Sequence, residues 1–216
     1  MYKNILFDLD GTLTDSAPGI TNCVAYALEK FGIRVEDKSE LNRFIGPPLI
    51  YSFKTFFGFS DKEAELATAY YRERFSSVGL YENALYPGID TMLKRLKENG
   101  RRLIVATSKP EEFTVLILEH FGIKQYFTFI CGNTLSESRP EKRDVLTYIM
   151  EKYPELSQEN TVMVGDRCYD VEGAKAVSLP CIGVSYGFGT QDELKAAGAS
   201  CVAASVSELE RILLAD

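Results

Sequence analysis

Two aspartates, Asp8 and Asp10, follow the apolar run Ile5-Leu6-Phe7 and precede Gly11. Residues i and i+2 of a strand point to the same side, so both carboxylates would be directed at one small volume. Two carboxylates in that arrangement repel each other unless a positive group lies between them. A divalent cation with oxygen ligands, most naturally Mg²⁺, would meet that need. With the cation bound, a phosphate could approach and a carboxylate could attack it.

A simpler interpretation of the same residues is a strand that ends in an Asp-Gly hairpin turn. That interpretation accounts for Asp10-Gly11 but not for a second carboxylate at the end of an apolar strand, where an unpaired charge is costly. It also requires a return strand, whereas the chain continues through Ser16-Ala17-Pro18 into a helical pattern. We therefore favour a chemical site.

Three more groups of polar residues stand where predicted strands end or helices begin: Thr107-Ser108, Arg139 to Lys142, and Gly165-Asp166 with Asp170. The carboxyl ends of parallel strands meet at one edge of a sheet, where ligands bind. A threonine hydroxyl and the N–H groups that open a helix suit a phosphate oxygen. The spacing of Ser108 and Glu111 also predicts a capping box for the next helix.

Strands alternate with helical segments from Tyr86 onward, which predicts an open, doubly wound α/β fold with a parallel sheet. The stretch from Ala17 to about Asn83 is helical in pattern and interrupts this alternation. We therefore expect a core formed by residues 1–15 and 84–216. Residues 16–83 would form an inserted, all-helical cap.

In their type and order, these motifs resemble the haloacid dehalogenase superfamily of phosphohydrolases. The most specific are Asp8-Leu9-Asp10-Gly11-Thr12-Leu13-Thr14-Asp15 and Gly165-Asp166-Arg167 with Asp170. The chain looks most like the phosphoglycolate phosphatase group and its 5′-nucleotidase-like relatives. The resemblance implies a Rossmann-like core, a helical cap, Mg²⁺ as cofactor and a small phosphomonoester as substrate.

The resemblance also implies a role for each motif residue. Asp8 would be the nucleophile that forms an aspartyl-phosphate, and Asp10 would be the general acid and base. Mg²⁺ would be held by the side chains of Asp8 and Asp166 and the carbonyl of Asp10, with Asp170 supporting the metal or orienting Lys142. The phosphoryl group would be bound by four residues, namely Gly11, Thr107, Ser108 and Lys142, and Thr107 and Lys142 would also be catalytic.

The inserted helices resemble a cap that closes over such a site, excludes water and contacts the leaving group. The turn around Gly46 and Pro47, with Arg43 beside it, is our candidate for a specificity loop. The alternative is a plain turn between two cap helices and a surface arginine, and the residue types do not decide between them.

The composition narrows the class of protein further. The 216 residues are 45% hydrophobic, with a formal net charge of −7, so we expect no nucleic-acid polymer as partner. The five cysteines are odd in number and lack Cys-x-x-Cys spacing, which predicts neither a disulfide framework nor a zinc site. Because the sequence shows neither a secretory nor a membrane-spanning segment, we expect a cytoplasmic protein that does not bind membranes. We expect it to be a monomer or a homodimer.

Our hypothesis is thus a Mg²⁺-dependent phosphatase of the phosphoglycolate phosphatase kind. The main alternative is a 5′-nucleotidase, and a phosphosugar mutase is a further one. A haloacid dehalogenase would not need the second carboxylate, Asp10. A binding protein without activity would not need the intact set of Asp8, Asp10, Lys142 and Asp166.

Overall fold

The computed structural model describes residues 2–136 and 138–215. The chain divides into two compact units: a core unit of Met1–Asp15 and Leu85–Asp216, and a helical unit of Ser16–Ala84.

Six strands form one parallel sheet in the order β5-β4-β1-β6-β7-β8, and β2 and β3 form a separate two-stranded sheet. The strands are β1 (Asn4–Phe7), β2 (Thr14–Asp15), β3 (Ala84–Leu85), β4 (Arg102–Pro110), β5 (Phe127–Asn133), β6 (Thr161–Gly165), β7 (Cys181–Val184) and β8 (Cys201–Ala203). The order reverses direction beside β1, because β4 lies on one side of it and β6 on the other. Such a switch point is where open α/β sheets bind ligands.

Helices surround this sheet in the core unit and form most of the helical unit. They are α1 (Ala17–Glu29), α2 (Leu49–Phe57), α3 (Asp61–Ser77), α4 (Ile89–Glu98), α5 (Glu111–His120), α6 (Lys142–Lys152), α7 (Cys168–Ala176), α8 (Gln191–Ala197) and α9 (Val206–Leu214). Short 3₁₀ helices span Lys38–Phe44, Gly79–Tyr81 and Lys124–Tyr126. The described part of the chain contains no helix that is both long and apolar enough to cross a bilayer.

The core unit has the predicted α/β class. Every residue of β1 and β6 is buried, as is typical of parallel strands covered by helices on both faces. Side chains from α6 and α7, including Val145, Leu146 and Val171, join Leu6 and Met163 of these strands in one apolar cluster. The two central strands are thus held rigidly up to their carboxyl ends.

The helical unit is built on the packing of α1 against α3 and on a cluster of phenylalanines. The Phe44 ring lies 5.0 Å from that of Phe53 and 5.4 Å from that of Phe56, in edge-to-face contact. Ser60 begins α3 with a complete capping box, in which its backbone N–H donates to Glu63 at 2.8 Å. The sequence pattern Ser60-Asp61-Lys62-Glu63 predicts this helix start correctly.

The capping box predicted for Ser108 and Glu111 is wrong. Strand β4 continues to Pro110, and α5 begins only at Glu111, with no side-chain cap at its N-terminus. The residue before a proline is disfavoured in helical geometry, so Lys109 stays extended. Ser108 therefore belongs to the strand.

Candidate active site

Asp8 and Asp10 lie just beyond the end of β1, at the switch point of the sheet. The backbone N–H of Asp8 donates to the Val164 carbonyl of β6 at 2.9 Å, which continues the strand pairing by one residue. Gly11 has a φ of +81°, and a Cβ atom there would overlap the Asp166 carboxylate. Its N–H already donates to the Thr14 carbonyl at 2.8 Å, so the phosphate-binding role of Gly11 stays a prediction.

Lys142, the first residue of α6, links two of the carboxylates. Its ammonium Nζ lies 2.8 Å from Asp8 Oδ1 and 2.8 Å from Asp170 Oδ1, and it donates to the Ala106 carbonyl at 2.8 Å. Its side chain is only 3% exposed. Burial alone would lower the pKa of Lys142, but Asp170 and Asp8 raise it above its usual value. Lys142 is therefore held as a cation against the proposed nucleophile.

Three carboxylates, those of Asp8, Asp166 and Asp170, can present ligand oxygens within 4.8 Å of one another. Burial and the charge of Asp170 raise the pKa of Asp8 to about 6, although Lys142 acts in the opposite direction. Burial raises the pKa of Asp166 well above its usual value, and the charges of Asp170 and Asp8 raise it further. Lys142 thus pairs with two of the three carboxylates, Asp8 and Asp170, and the carboxylates of this group outnumber it.

Asp10 belongs to a second ion pair. Its Oδ2 atom accepts from Lys109 Nζ at 2.6 Å, and the two side chains are 15% and 6% exposed. The backbone N–H of Lys109 donates to Thr107 Oγ1 at 3.2 Å. Thr107 is 1% exposed and Ser108 is half-buried, both on β4. The sequence motifs gave Lys109 no role, although its spacing of two from Thr107 on a strand places both side chains on one side of that strand.

Asp166 is positioned by the loop that follows β7. Its Oδ2 atom accepts from the backbone N–H of Phe188 at 2.7 Å, whereas Oδ1 has no hydrogen-bond partner among the described residues. From the same loop, the Tyr186 hydroxyl donates to the Thr12 carbonyl at 3.0 Å. As a sequence, Gly187-Phe188-Gly189 indicates only a turn before a helix, so the contact of this loop with Asp166 is visible in the structure alone.

The structure thus gathers Asp8, Asp166, Asp170 and Lys142 into one buried cluster and joins Thr107 to Asp10 through Lys109. The side chain of Asp10 is not part of the three-carboxylate group. The substrate residues predicted from the sequence, Arg43, Gly46 and Pro47, belong to the helical unit. There the Arg43 guanidinium lies 4.7 Å from the centre of the Phe56 ring, and Gly46 and Pro47 form the turn before α2.

The family model and the similar solved structure point to the same family of hydrolases. Residues 5–184 match the family model of the haloacid dehalogenase-like hydrolases. A solved structure described as a predicted phosphatase from Clostridium acetobutylicum is 49% identical, has a TM-score of 0.95 and is covered over 99% of each chain.

Three of the curated relatives carry different activity names. A 5′-nucleotidase of Pseudomonas aeruginosa is 42% identical, with 98% of this chain and 96% of that protein covered. A tyrosine-protein kinase, PtkA, of Mycobacterium tuberculosis is 39% identical over 97% of this chain and 72% of that protein. A phosphoglycolate phosphatase of Pseudomonas aeruginosa is 33% identical over 85% of this chain and 70% of that protein.

Proposed function

The chain belongs to the haloacid dehalogenase-like hydrolases, and from that premise we propose that it is a Mg²⁺-dependent phosphatase of small phosphomonoesters. The proposal depends most on the position of Asp8. This carboxylate is buried at the end of β1 with the Lys142 ammonium 2.8 Å from Oδ1. A fixed cation beside a carboxylate would stabilise the charge that develops on a phosphoryl group as that carboxylate attacks it.

The reaction would proceed in two displacements at phosphorus. In the first, an oxygen of Asp8 forms a bond to phosphorus while the bond to the leaving oxygen breaks and Asp10 gives that oxygen a proton. In the second, water attacks the aspartyl-phosphate, its proton passes to Asp10, and the bond to Asp8 breaks to release inorganic phosphate. Proton transfer of this kind contributes on the order of 10² to 10⁴ in rate. Thr107, buried in the carboxyl-terminal half of β4, would donate a hydrogen bond to the phosphoryl oxygens.

The residues fit a divalent cation. All the available ligand atoms are carboxylate or carbonyl oxygens, which Mg²⁺ prefers, and the surplus of carboxylates over the one ammonium of Lys142 suits a cation. Asp166 Oδ1, without a hydrogen-bond partner among the described residues, is a free ligand atom. Asp8, Asp166 and the Asp10 carbonyl would hold the ion, which when bound supplies charge neutralisation for the incoming phosphate. Because Asp170 contacts both Lys142 and the backbone N–H of Arg167, we assign it to orienting Lys142.

For the substrate we propose a nucleoside 5′-monophosphate, with 2-phosphoglycolate as the second candidate. The relative named 5′-nucleotidase is more similar than the one named phosphoglycolate phosphatase, at 42% against 33% identity, and matches this chain nearly end to end. The sequence motifs alone had favoured phosphoglycolate.

The relative named as a tyrosine-protein kinase supports a second candidate function, in which a group other than water accepts the phosphoryl group. In that reaction a tyrosine hydroxyl, rather than water, would take the phosphoryl group from a nucleotide. Water as acceptor gives inorganic phosphate, whereas tyrosine as acceptor gives a phosphopeptide, so the two are separated by their products.

A panel of about a hundred phosphorylated metabolites, assayed with Mg²⁺ for phosphate release, tests the proposal. We expect a nucleoside monophosphate to have the highest kcat/KM, and a hundredfold preference would correspond to about 2.7 kcal/mol of transition-state discrimination. Higher turnover of 2-phosphoglycolate would overturn the substrate assignment alone. Release from no compound, combined with labelling of a tyrosine peptide by ATP, would overturn the phosphatase in favour of the kinase.

A further inference from the structure

Lys109 is a buried cation without a role in the mechanism above. Lysine is almost never fully buried unless it is paired. Its partner is Asp10, the proposed general acid, whose Oδ2 lies 2.6 Å from Lys109 Nζ. Only 6% of the Lys109 side chain is exposed. The pair is thus shielded from solvent, and each side chain restricts the orientation of the other.

An irregularity in β4 brings Lys109 to this position. Ala106 is opposite Cys131 and Pro110 is opposite Asn133, so four steps along β4 match two steps along β5. A bulge of this kind redirects side chains and is common next to active sites. A Cβ atom at Gly132 would overlap the Lys109 carbonyl, so the bulge needs a glycine opposite it. The backbone N–H of Lys109 donates a hydrogen bond to Thr107 Oγ1.

We propose that Lys109 is a positioning residue that holds Asp10 by Oδ2 and thereby fixes the orientation of the carboxylate that exchanges the proton. Lys109 Nζ donates to Asp10 Oδ2, whereas Asp10 Oδ1 is buried and accepts no hydrogen bond among the described residues. The inference rests on the proposed phosphatase function, in which Asp10 is the acid and base.

The proton then moves between Asp10 and the reacting oxygens in both steps. When the phosphoenzyme forms, the O–H bond of the Asp10 carboxyl group breaks and the proton passes to the leaving alkoxide as its bond to phosphorus breaks. When water attacks the phosphoenzyme, one water proton returns to the Asp10 carboxylate and the Asp8–phosphorus bond breaks. Lys109 takes no part in the proton transfer, because its part is to fix the carboxylate.

Leaving groups of different basicity distinguish this role from phosphate binding. An alkyl phosphomonoester needs a proton on its leaving oxygen, whereas 2,4-dinitrophenyl phosphate releases a stable phenolate without one. The ratio kcat/KM reports on every step up to departure of the leaving group. A misplaced acid therefore lowers kcat/KM mainly for the alkyl ester, whereas a lost phosphate contact lowers it equally for both.

The experiment compares wild type with Lys109→Met, using 2,4-dinitrophenyl phosphate and the alkyl phosphomonoester of highest turnover, at saturating Mg²⁺. We expect kcat/KM for the alkyl ester to fall about 100-fold, since small misplacements of a catalytic group cost about that much. The loss for the aryl ester should be at least about 10-fold smaller. Lys109→Arg, which keeps the cation, should restore most of the alkyl activity.

Lys124→Met is the matched control, because Lys124 also pairs with a carboxylate but at the exposed surface of the same unit. It should leave both rates within about twofold of wild type. Equal losses for the two esters in Lys109→Met, or a gain for the alkyl ester, would overturn the proposal. If Lys109→Met does not fold, Lys109→Gln is measured against the same criteria. A wild type inactive on both esters would instead overturn the proposed function, and the inference with it.

Discussion

At the residue scale, the cluster around Asp8 holds more negative than positive charge. Lys142 is its single ammonium and faces Asp8 and Asp170 directly. Removing one partner of a buried pair leaves an uncompensated charge, which costs about 3–5 kcal/mol. The stability of the protein and its activity should therefore both depend on this one side chain.

Lys142→Met should thus lower the free energy of unfolding by about 3 kcal/mol or more, measured by urea denaturation in EDTA. Phosphatase activity should be lost in the same variant. Lys195→Met, at an exposed position of α8, is the control and should stay within about 0.5 kcal/mol of wild type. A change no larger than that in Lys142→Met would contradict the buried charge network.

The Asp166 carboxylate should destabilise the protein without metal and stabilise it when Mg²⁺ is bound. Because Asp166→Asn removes one of three repelling carboxylates and can still accept from Phe188, we expect its Tm in EDTA to exceed that of wild type. In wild type, Mg²⁺ at 100 times its Kd should add about 2.7 kcal/mol, or a rise in Tm of about 5–10 °C.

That rise with Mg²⁺ should be absent in Asp166→Asn. Asp192→Asn, on the exposed face of α8, is the control and should show the full wild-type response. An equal Mg²⁺ response in Asp166→Asn and wild type would mean that the ion binds elsewhere.

Several of these residues could be predicted from sequence because each follows or opens a regular element in a recognisable order. The spacing of Asp8 and Asp10 after an apolar strand was enough to predict that both belong to a site. The pairing of Lys109 with Asp10 was not, since it depends on contacts between residues 99 positions apart in the chain. The specific contact between Phe188 and Asp166 likewise depends on how a loop folds back.

At the element scale, the bulge in β4 explains why the helix start predicted at Ser108 is wrong and why a glycine is needed at position 132. The sequence pattern Ser108-Lys109-Pro110-Glu111 is typical of a helix start, yet the chain remains extended through Pro110. Pairing with β5 outweighs the local signal, and only the sheet register reveals the two extra residues. The parallel α/β alternation itself was predictable, because buried strands and amphipathic helices have different periods.

Gly132→Ala tests the need for this bulge. Its Cβ would overlap the Lys109 carbonyl and lie 2.9 Å from the Glu111 nitrogen, so the ends of β4 and β5 must separate. We expect a loss of about 1–3 kcal/mol in unfolding free energy and a marked fall in kcat/KM for alkyl phosphomonoesters.

Gly122→Ala is the control for that variant. Gly122 has a φ of +65° with open space around it, so alanine there costs about 1–2 kcal/mol in strain without touching the site. Its kcat/KM should match wild type. Gly132→Ala with wild-type kcat/KM would show that the bulge does not position Lys109.

At the scale of the whole molecule, the net charge of −7 opposes the approach of an anionic substrate. The two lysines of the site are paired with carboxylates and create no long-range positive field. The substrate must therefore be attracted by groups within the site itself. This distinguishes the protein from enzymes that steer anions with a basic surface, whose association rates fall steeply with salt.

We accordingly expect kcat/KM for a doubly charged phosphomonoester to rise by up to about threefold as ionic strength increases from about 10 to about 150 mM, because the Debye length falls from about 30 Å to about 8 Å. The measurement is steady-state kinetics at saturating Mg²⁺. A steep fall over the same range would indicate a positively charged approach path and contradict this account.

The function of the helical unit could be predicted least from the sequence. Its helices follow from apolar spacing and from capping signals such as Ser60-Glu63, but substrate contacts depend on shape rather than on residue type. Arg43, which lies beside the candidate specificity loop, stacks on Phe56 within its own unit. Its contact with substrate, like the roles of Gly46 and Pro47, stays a prediction.

The central claim is that Asp8 attacks phosphorus, and trapping the phosphoenzyme tests it most directly. The protein is mixed with substrate and Mg²⁺, quenched in acid within milliseconds, digested and analysed by mass spectrometry, with Asp8→Asn and Asp10→Asn in parallel. We predict one added phosphoryl group on the peptide containing Asp8, labile to hydroxylamine, in wild type and absent from Asp8→Asn. Turnover by Asp8→Asn at the wild-type rate, or a phosphoryl group on another residue, would contradict the account.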